Sequence, residues 1–553
     1  MVCVGCTSAQ HVPVATQSAN ESSPTTAGAS SAASGASSAA PGHTSTAAAT
    51  PGPAVTGGAI TAGLVPLPVN ASTDVGASFT IGSDTTIEAG PGDGTAAVAT
   101  DLAELLRPPT GFALPISTGA AVSPPKNAIV LRLGVGNPTL GDEGYDLTIS
   151  KDGVVLTAMK AAGLFHGVQT IRQLLPPAVE VPASSSTVWK LTGGHIVDYP
   201  RYSYRGAMLD VSRHFFGVPI VERYIDELAL YKVNVLHLHL SDDQGWRLAV
   251  DGWPNLTAIG GSTEVGGGQG GFYTKADYTE IVTYAQAHFI TVIPEIDTPS
   301  HTNAALASYP QLNCNGTSPP LYTGERVGFS SLCVPKAVTY TFLDNVVSEL
   351  AALTPGPYIH LGGDEAQSTS AADYVTFVQK AQAIVEAHGK LLMGWAEISK
   401  AKLDQGSVAE YWNFNDHGRS ATDATHQNVK VVMAPADHAY LDQKYDAQTV
   451  LGLTWAGAIE AQDAYAWDPL DGGHVSESDV LGVEAPLWSE TLHTVADLEY
   501  LAWPRMAGIA EIGWTPKAER SWPTYRTRLA EQAPRWTAMG INFYRSPQVD
   551  WTS

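Results

Sequence analysis

The chain has 553 residues, 44% of them hydrophobic and only 15% charged, and its 30 basic and 54 acidic side chains give a formal charge of −24. The apolar fraction excludes a wholly disordered chain, and no run of about 18 apolar residues offers a membrane-spanning helix. The acidic balance argues against nucleic acid or an anionic membrane as partner, because like charges repel, so a neutral or cationic substrate fits better.

The first segment, residues 1–57, reads as a disordered tail or the remnant of an export or anchoring segment. No Asp, Glu, Lys or Arg occurs between Glu21 and Asp74, and Ala, Ser, Thr, Gly and Pro dominate. Such a composition cannot bury a core. Met1 to Cys6 lacks both the basic region and the apolar segment of a signal peptide. Val2-Cys3-Val4-Gly5-Cys6-Thr7 nevertheless resembles the end of a bacterial lipoprotein signal whose start lies upstream, with Cys6 as the acylated residue; the alternative is an incidental cysteine. The expected location is extracytoplasmic, secreted or lipid-anchored through Cys6.

Residues 58–197 read as a small α+β domain. Short runs at 78–81, 128–133 and 145–150 have the punctuated pattern of strands, and one helix at 163–175 places Leu164, Val168, Ile171 and Leu175 at near-helical spacing before Pro176-Pro177. No cluster of chemistry stands out there, so its expected role is structural support.

From residue 198 to 553 the rhythm becomes strand, loop, helix. Strands are expected at 207–211, 233–240, 289–296, 358–362, 391–395, 408–412, 429–434 and 482–488. Helices at 219–231, 337–353 and 371–387 lie between some of them. Eight repeats over some 340 residues predict an α/β fold of the (β/α)8 TIM-barrel type, whose chemistry gathers at the carboxyl ends of the strands. Cys314 and Cys333 bracket a Gly-, Pro-, Ser- and Asn-rich stretch that a disulfide would close, with two unlinked thiols as the alternative. If the bond forms, an oxidising compartment follows.

The expected strand ends carry carboxylates, aromatics and one arginine: Asp210 and Arg213, Asp242, Glu295 and His301, Asp364-Glu365, Trp395, Trp412, Tyr440 and Asp442, and Trp488 with Glu490. Lysine is nearly missing from this set, and no Gly-rich phosphate motif occurs, so phosphoryl-transfer and Schiff-base chemistry lose support. Indole faces cover the C–H side of a pyranose while carboxylates and a guanidinium hold its hydroxyls. Glycoside hydrolysis needs a proton donor and an anionic partner, and Asp364-Glu365 after Gly362-Gly363 is the natural pair.

His360-Leu361-Gly362-Gly363-Asp364-Glu365 resembles the signature of the family 20 glycoside hydrolases, the β-N-acetylhexosaminidases. The likeness extends through Asp210-Val211-Ser212-Arg213-His214, the run from Leu236 to Trp246, and Pro294-Glu295-Ile296-Asp297. It is greatest to secreted actinobacterial members. The resemblance implies hydrolysis of terminal non-reducing N-acetylhexosamines with retention, in which the sugar's own 2-acetamido oxygen attacks the anomeric carbon. By the same resemblance Glu365 would be general acid and base, and Asp364 would orient the acetamide and balance its charge. Asp242 and His301 would form a supporting pair, and Tyr440 would donate to the acetamide carbonyl. Arg213, Asp442 and Glu490 would bind hydroxyls, while Trp395, Trp412 and Trp488 would wall the acetamido methyl. Trp455 would stack on the next sugar, and Cys314 and Cys333 fall where related enzymes carry a loop disulfide.

Other readings compete. His237-Leu238-His239 resembles the paired metal ligands of barrel amidohydrolases, but theirs lie on the first strand and these on the second. No metal and no cofactor are expected. A retaining glycosidase with Glu295 or Glu490 as nucleophile, or a sugar-binding barrel without catalysis, are the remaining alternatives. The expected partner is an oligosaccharide ending in N-acetylhexosamine, with gluco or galacto preference and oligomeric state left open.

Overall fold

The computed structural model describes residues 59–119, 125–134, 137–182 and 187–552. The expected tail, including Cys3 and Cys6, lies outside the described residues.

The leading region is one seven-stranded sheet. Its strands are β1 (Asn70–Thr80), β2 (Thr86–Ala89), β3 (Ile116–Thr118), β4 (Ala128–Leu133), β5 (Tyr145–Ser150), β6 (Gly153–Ala158) and β7 (Lys190–Asp198), in the order β1-β7-β5-β6-β4-β2-β3. Two helices, Thr95–Thr110 and Ala161–Leu174, pack on it and bury Val98, Leu102 and Leu106 together with Leu164, Val168 and Ile171. The sequence reading gave one helix here. Val98, Leu102 and Leu106 do follow the i, i+4 rule, but Ala-rich surroundings and Pro108-Pro109 in the last turn blur the signal. β1 starts eight residues before the expected run, because it is an edge strand whose first half is polar and largely exposed, with no apolar alternation to read.

Eight parallel strands then close a barrel: β8 (Tyr204–Asp210), β9 (Val235–His239), β10 (Thr291–Glu295), β11 (Tyr358–His360), β12 (Leu391–Trp395), β13 (Val408–Tyr411), β14 (Lys430–Met433) and β15 (Val480–Leu487), with β15 pairing back onto β8. The (β/α)8 barrel preceded by a small α+β layer is therefore the architecture of the chain. Helices Val218–Leu230, Lys275–Ala287, Ala337–Leu353 and Ala371–Ala387 cover the outside, held by residues such as Val221, Ile281, Leu343 and Phe377. After β12 the helix shrinks to the short turn Ala396–Lys400 and after β13 to the seven-residue helix Arg419–Thr425, and after β14 a long connection, residues 434–479, replaces one.

Inside, strand alternation stacks layers of contrasting chemistry. Tyr204, Val235, Ile293, Met393, Val408 and Val432 form one cluster near the barrel floor. In the layer above, five strands contribute His237, Glu295, His360, Glu410 and Glu484, all fully buried. The intervening Leu236 and Leu238 join the main core.

The leading sheet is locked to the barrel by buried ions. Lys232 donates to Asp198 (3.0 Å) and Tyr145 (3.1 Å), and Arg205 grips Glu143 at 3.1 and 2.5 Å. Glu180 is held by Arg172 at 2.6 Å and by Arg535.

Candidate active site

The turn after β11 shapes the mouth. Gly362 has φ 67°, and a Cβ there would collide with the Asp297 carboxylate, so glycine is required. Gly363 follows at φ 106°. Glu365 itself sits at φ 45° and His301 at φ 55°, backbone conformations that cost L-residues energy and concentrate at functional sites. Tyr374 donates to the Gly363 carbonyl (2.5 Å) and Ser300 to that of Asp364, so the strained turn is braced from below.

One side of the mouth is ionic. His301 Nε2 lies 3.2 Å from Glu365 Oε2 and 3.4 Å from Asp364 Oδ2, while its Nδ1 meets Asp242 Oδ1 at 3.2 Å. The other Asp242 oxygen receives His239 Nε2 (3.0 Å) and Arg213 (2.9 Å). Burial alone would raise the Asp242 carboxyl, but Arg213 and His301 outweigh it and hold it well below the usual range. Burial would likewise lower His301, yet Asp242 and Asp364 raise it well above an ordinary histidine. Arg213 also bonds Asp210 (3.3 Å) and lies 4.7 Å over the Trp488 ring.

The other side is aromatic. Trp395 and Trp488 have centroids 5.8 Å apart, Tyr440 lies 6.2 Å from Trp488, and Trp455 stands edge-on to Trp412 (6.0 Å) and Tyr440 (5.7 Å). Trp455 remains 48% exposed, an open ring at the rim. Tyr440, Asp442 and Trp455 all come from the long connection after β14.

Between the two sides, burial pushes Asp364 up to about 6, with Glu365 adding to the rise and His301 opposing it. Asp297, raised by burial and by Asp364, hydrogen-bonds Asp364. Burial raises Glu490 to about 7, and burial with Glu490 raises Asp442 well above the aspartate range. Asp364 Oδ1, Asp442 Oδ1, Glu490 Oε2 and Arg213 Nε are buried polar atoms with no protein partner, a pattern native proteins tolerate chiefly where something binds.

The structure thus brings Asp242, His301, Asp364, Glu365, Arg213, Trp395, Trp412, Tyr440, Asp442, Trp455, Trp488 and Glu490 to the same end of the barrel. Cys314 and Cys333 form a disulfide closing the loop after β10. Sequence reasoning missed Asp297 as partner of Asp364, Tyr374 as the brace, and Glu397, which accepts from Trp412 Nε1 at 3.0 Å. Asp297 stood within a quoted motif; Tyr374 and Glu397 left no signal, since only folding brings them to the turn.

Among the described residues, four clusters of three buried His and carboxylate side chains lie close enough to share an ion: His237, His360 and Glu410; His239, Asp242 and Asp297; Asp242, Asp243 and His301; and Asp297, His301 and Asp364. Their chemistry argues otherwise. Both nitrogens of His237, His239 and His301 face carboxylates, and their shifts favour the imidazolium form, which has no lone pair for a metal. Nor can Glu295 attack a sugar: it is fully buried beneath the mouth, with its oxygens committed to Trp395 and His239.

A parallel barrel with paired carboxylates, one guanidinium and a wall of indoles at its carboxyl end is the construction of a sugar-cleaving hydrolase. Residues 202–517 match the model of the glycosyl hydrolase family 20 catalytic domain and residues 61–199 that of the family's domain 2; the chain belongs to this family. It is 41% identical over 490 residues to a beta-N-acetylhexosaminidase of Cellulomonas fimi, covering 88% of this chain and 97% of the relative. Among solved structures it resembles the Streptomyces plicatus N-acetyl-beta-hexosaminidase in complex with Thio-NAglucal, with 52% identity, TM-score 0.85 and coverage of 89% and 98% of the two chains. A mutant of that Streptomyces enzyme was solved with its product GlcNAc at the same identity and TM-score.

Proposed function

We propose that the protein releases terminal non-reducing N-acetyl-β-hexosamine residues from oligosaccharides by substrate-assisted hydrolysis with retention. The observation that carries this reading is the asymmetry of the adjacent carboxylates: Asp364 is buried, hydrogen-bonded to Asp297 and near the aromatic wall, whereas Glu365 lies at the mouth beside His301. Two residues so placed do different work. Glu365 protonates the leaving oxygen and later takes a proton from water. Asp364 accepts from the acetamide N–H and balances the charge of the oxazolinium ring. The substrate's amide oxygen is the nucleophile, and its attachment beside the anomeric carbon supplies a high effective molarity.

In this reading Trp395, Trp412 and Trp488 enclose the acetamide and Tyr440 donates to its carbonyl, while Arg213, Asp442 and Glu490 take sugar hydroxyls. Those hydroxyls would satisfy the unpartnered atoms of Arg213, Asp442 and Glu490, and the acetamide N–H that of Asp364. Trp455 offers its open face to the next sugar, and Asp242 orients His301. The division into a supporting domain over 58–197 and a catalytic barrel over 198–553 belongs to the same proposal. So does an oxidising, extracytoplasmic setting, which the Cys314–Cys333 bond supports. Among the described residues no helix is long and apolar enough to cross a membrane.

The test compares aryl glycosides of N-acetylglucosamine, N-acetylgalactosamine and glucose. Turnover of at least one acetamido sugar, with no turnover of the 2-hydroxy sugar, is expected. Comparable hydrolysis of the 2-hydroxy glycoside would overturn the substrate-assisted mechanism.

A further inference from the structure

Beneath the mouth a row of alternating carboxylates and imidazoles descends into the barrel. From His301 it passes to Asp242 (3.2 Å), to His239 (3.0 Å), to Glu295 (2.5 Å), to His237 (3.1 Å) and to Glu484 (2.8 Å), which also accepts from Tyr204. Burying so many ions is expensive, and apolar side chains of similar volume often stabilise a core equally well, so stability alone is a poor explanation of the row.

Glu295 is where this row meets the aromatic wall. Its Oε2 accepts from His239, which leads up through Asp242 to His301 and Glu365. Its Oε1 accepts from Trp395 Nε1 at 2.9 Å. Resting on the roles assigned above, we infer that Glu295 is a positioning residue that couples the acetamide pocket, through Trp395, to the proton-donating side, through His239, Asp242 and His301. One carboxylate thereby sets the spacing between nucleophile and acid. The groups facing it are His237 and His239 of β9, His360 of β11 (3.0 Å), Trp395 of β12, Glu410 of β13 and Glu484 of β15, with Asp242, Asp297 and Asp364 above.

The charges agree with this arrangement. Burial would lower His239, but Glu295 and Asp242 raise it to about 9, so it stays an imidazolium donating from both nitrogens below that pH. After Glu295→Gln one acceptor oxygen replaces two, so either the indole on the Oε1 side or the rings of His237 and His239 on the Oε2 side lose their partner. His239 also loses a counter-charge, and its protonation falls toward the assay range.

The experiment measures kcat and KM of the full chain on aryl N-acetylglucosaminides with good and poor leaving groups, across pH. Glu295→Gln is expected to lower kcat by about 10- to 100-fold on every leaving group, to raise KM, and to bring the alkaline limb of kcat/KM to lower pH. His239→Gln, which spares the bond to Trp395, is expected to lose about tenfold on poor leaving groups and little on good ones. Equal losses on both leaving groups in His239→Gln, or an unmoved pH profile in Glu295→Gln, would overturn the coupling. If either variant fails to fold, histidine NMR of the wild-type enzyme decides: an imidazolium at His239 persisting to pH 8 is expected, and a neutral ring near pH 7 refutes the proposal. The general-acid reading fails separately, on a Glu365→Gln variant that shows no leaving-group dependence.

Discussion

The leading sheet and the barrel mouth both bury charge, but in opposite ways. At the sheet, Lys232 with Asp198, Arg205 with Glu143, and Arg535 with Glu180 are matched pairs tying one layer to the other. At the mouth, Asp364, Asp297, Asp442 and Glu490 crowd like charges together and keep unpartnered oxygens. Matched burial makes an interface, whereas unmatched burial raises carboxyl protonation and stores binding capacity for a substrate. The two regions should therefore fail differently when altered: the mouth in chemistry, the sheet in stability.

The largest expected effect is that of Glu365→Gln, which should reduce kcat/KM on poor leaving groups by about 10²- to 10⁴-fold while leaving substrate binding largely intact. Steady-state kinetics with binding measured by calorimetry checks it, and near-wild-type rates would break the comparison at its strongest point. Asp364→Asn should slow good and poor leaving groups alike, by about 10²- to 10³-fold. Because it removes a buried charge among other acids, its Tm should equal or exceed that of the wild type, which differential scanning calorimetry reads directly.

A pH profile sharpens the same contrast. In the proposed mechanism Asp364 would act ionised, and burial lifts its pKa from 3.8 to about 6, so kcat/KM should fall as the pH drops through that region. The Asp297–Asp364 pair titrates together, and Asp364→Asn should erase this acid limb. On the other side of the comparison, Asp198→Ala strands Lys232 in the interface and should cost about 3–5 kcal/mol of stability. Its kcat/KM, measured well below its Tm, should stay within about twofold of wild type, a surface-like effect on chemistry. A large loss of activity in that variant would show that the leading domain shapes the mouth.

How far the sequence could be read depended on whether a feature is local. The barrel strands were legible because strands covered on both faces read as apolar runs, as in 207–211 and 391–395, and the polar residues ending them fell at the mouth by the geometry of the fold. The helix Thr95–Thr110 escaped because its apolar stripe is embedded in alanines. The polar β1 escaped because an edge strand half in solvent needs no alternation. At the site, the Gly362-Gly363-Asp364-Glu365 turn announced itself. Glu397 and Tyr374 did not, because hydrogen bonds to Trp412 and Gly363 across 15 and 11 residues leave no periodic trace.

Sequence alone determined the barrel, the carboxylates at its strand ends and the family likeness, since each rests on periodicity or on contiguous residues. Only the tertiary structure decided which carboxyls burial pushes up, that His237 and His239 lie between carboxylates that raise them, and that Glu295 joins Trp395 to the row of acids and imidazoles. Those outcomes depend on burial and on distances between residues as far apart in the chain as His237 and Glu484, separated by 247 positions. Electrostatic energy is set by separation in space and by the exclusion of water, and neither is written into the order of the chain.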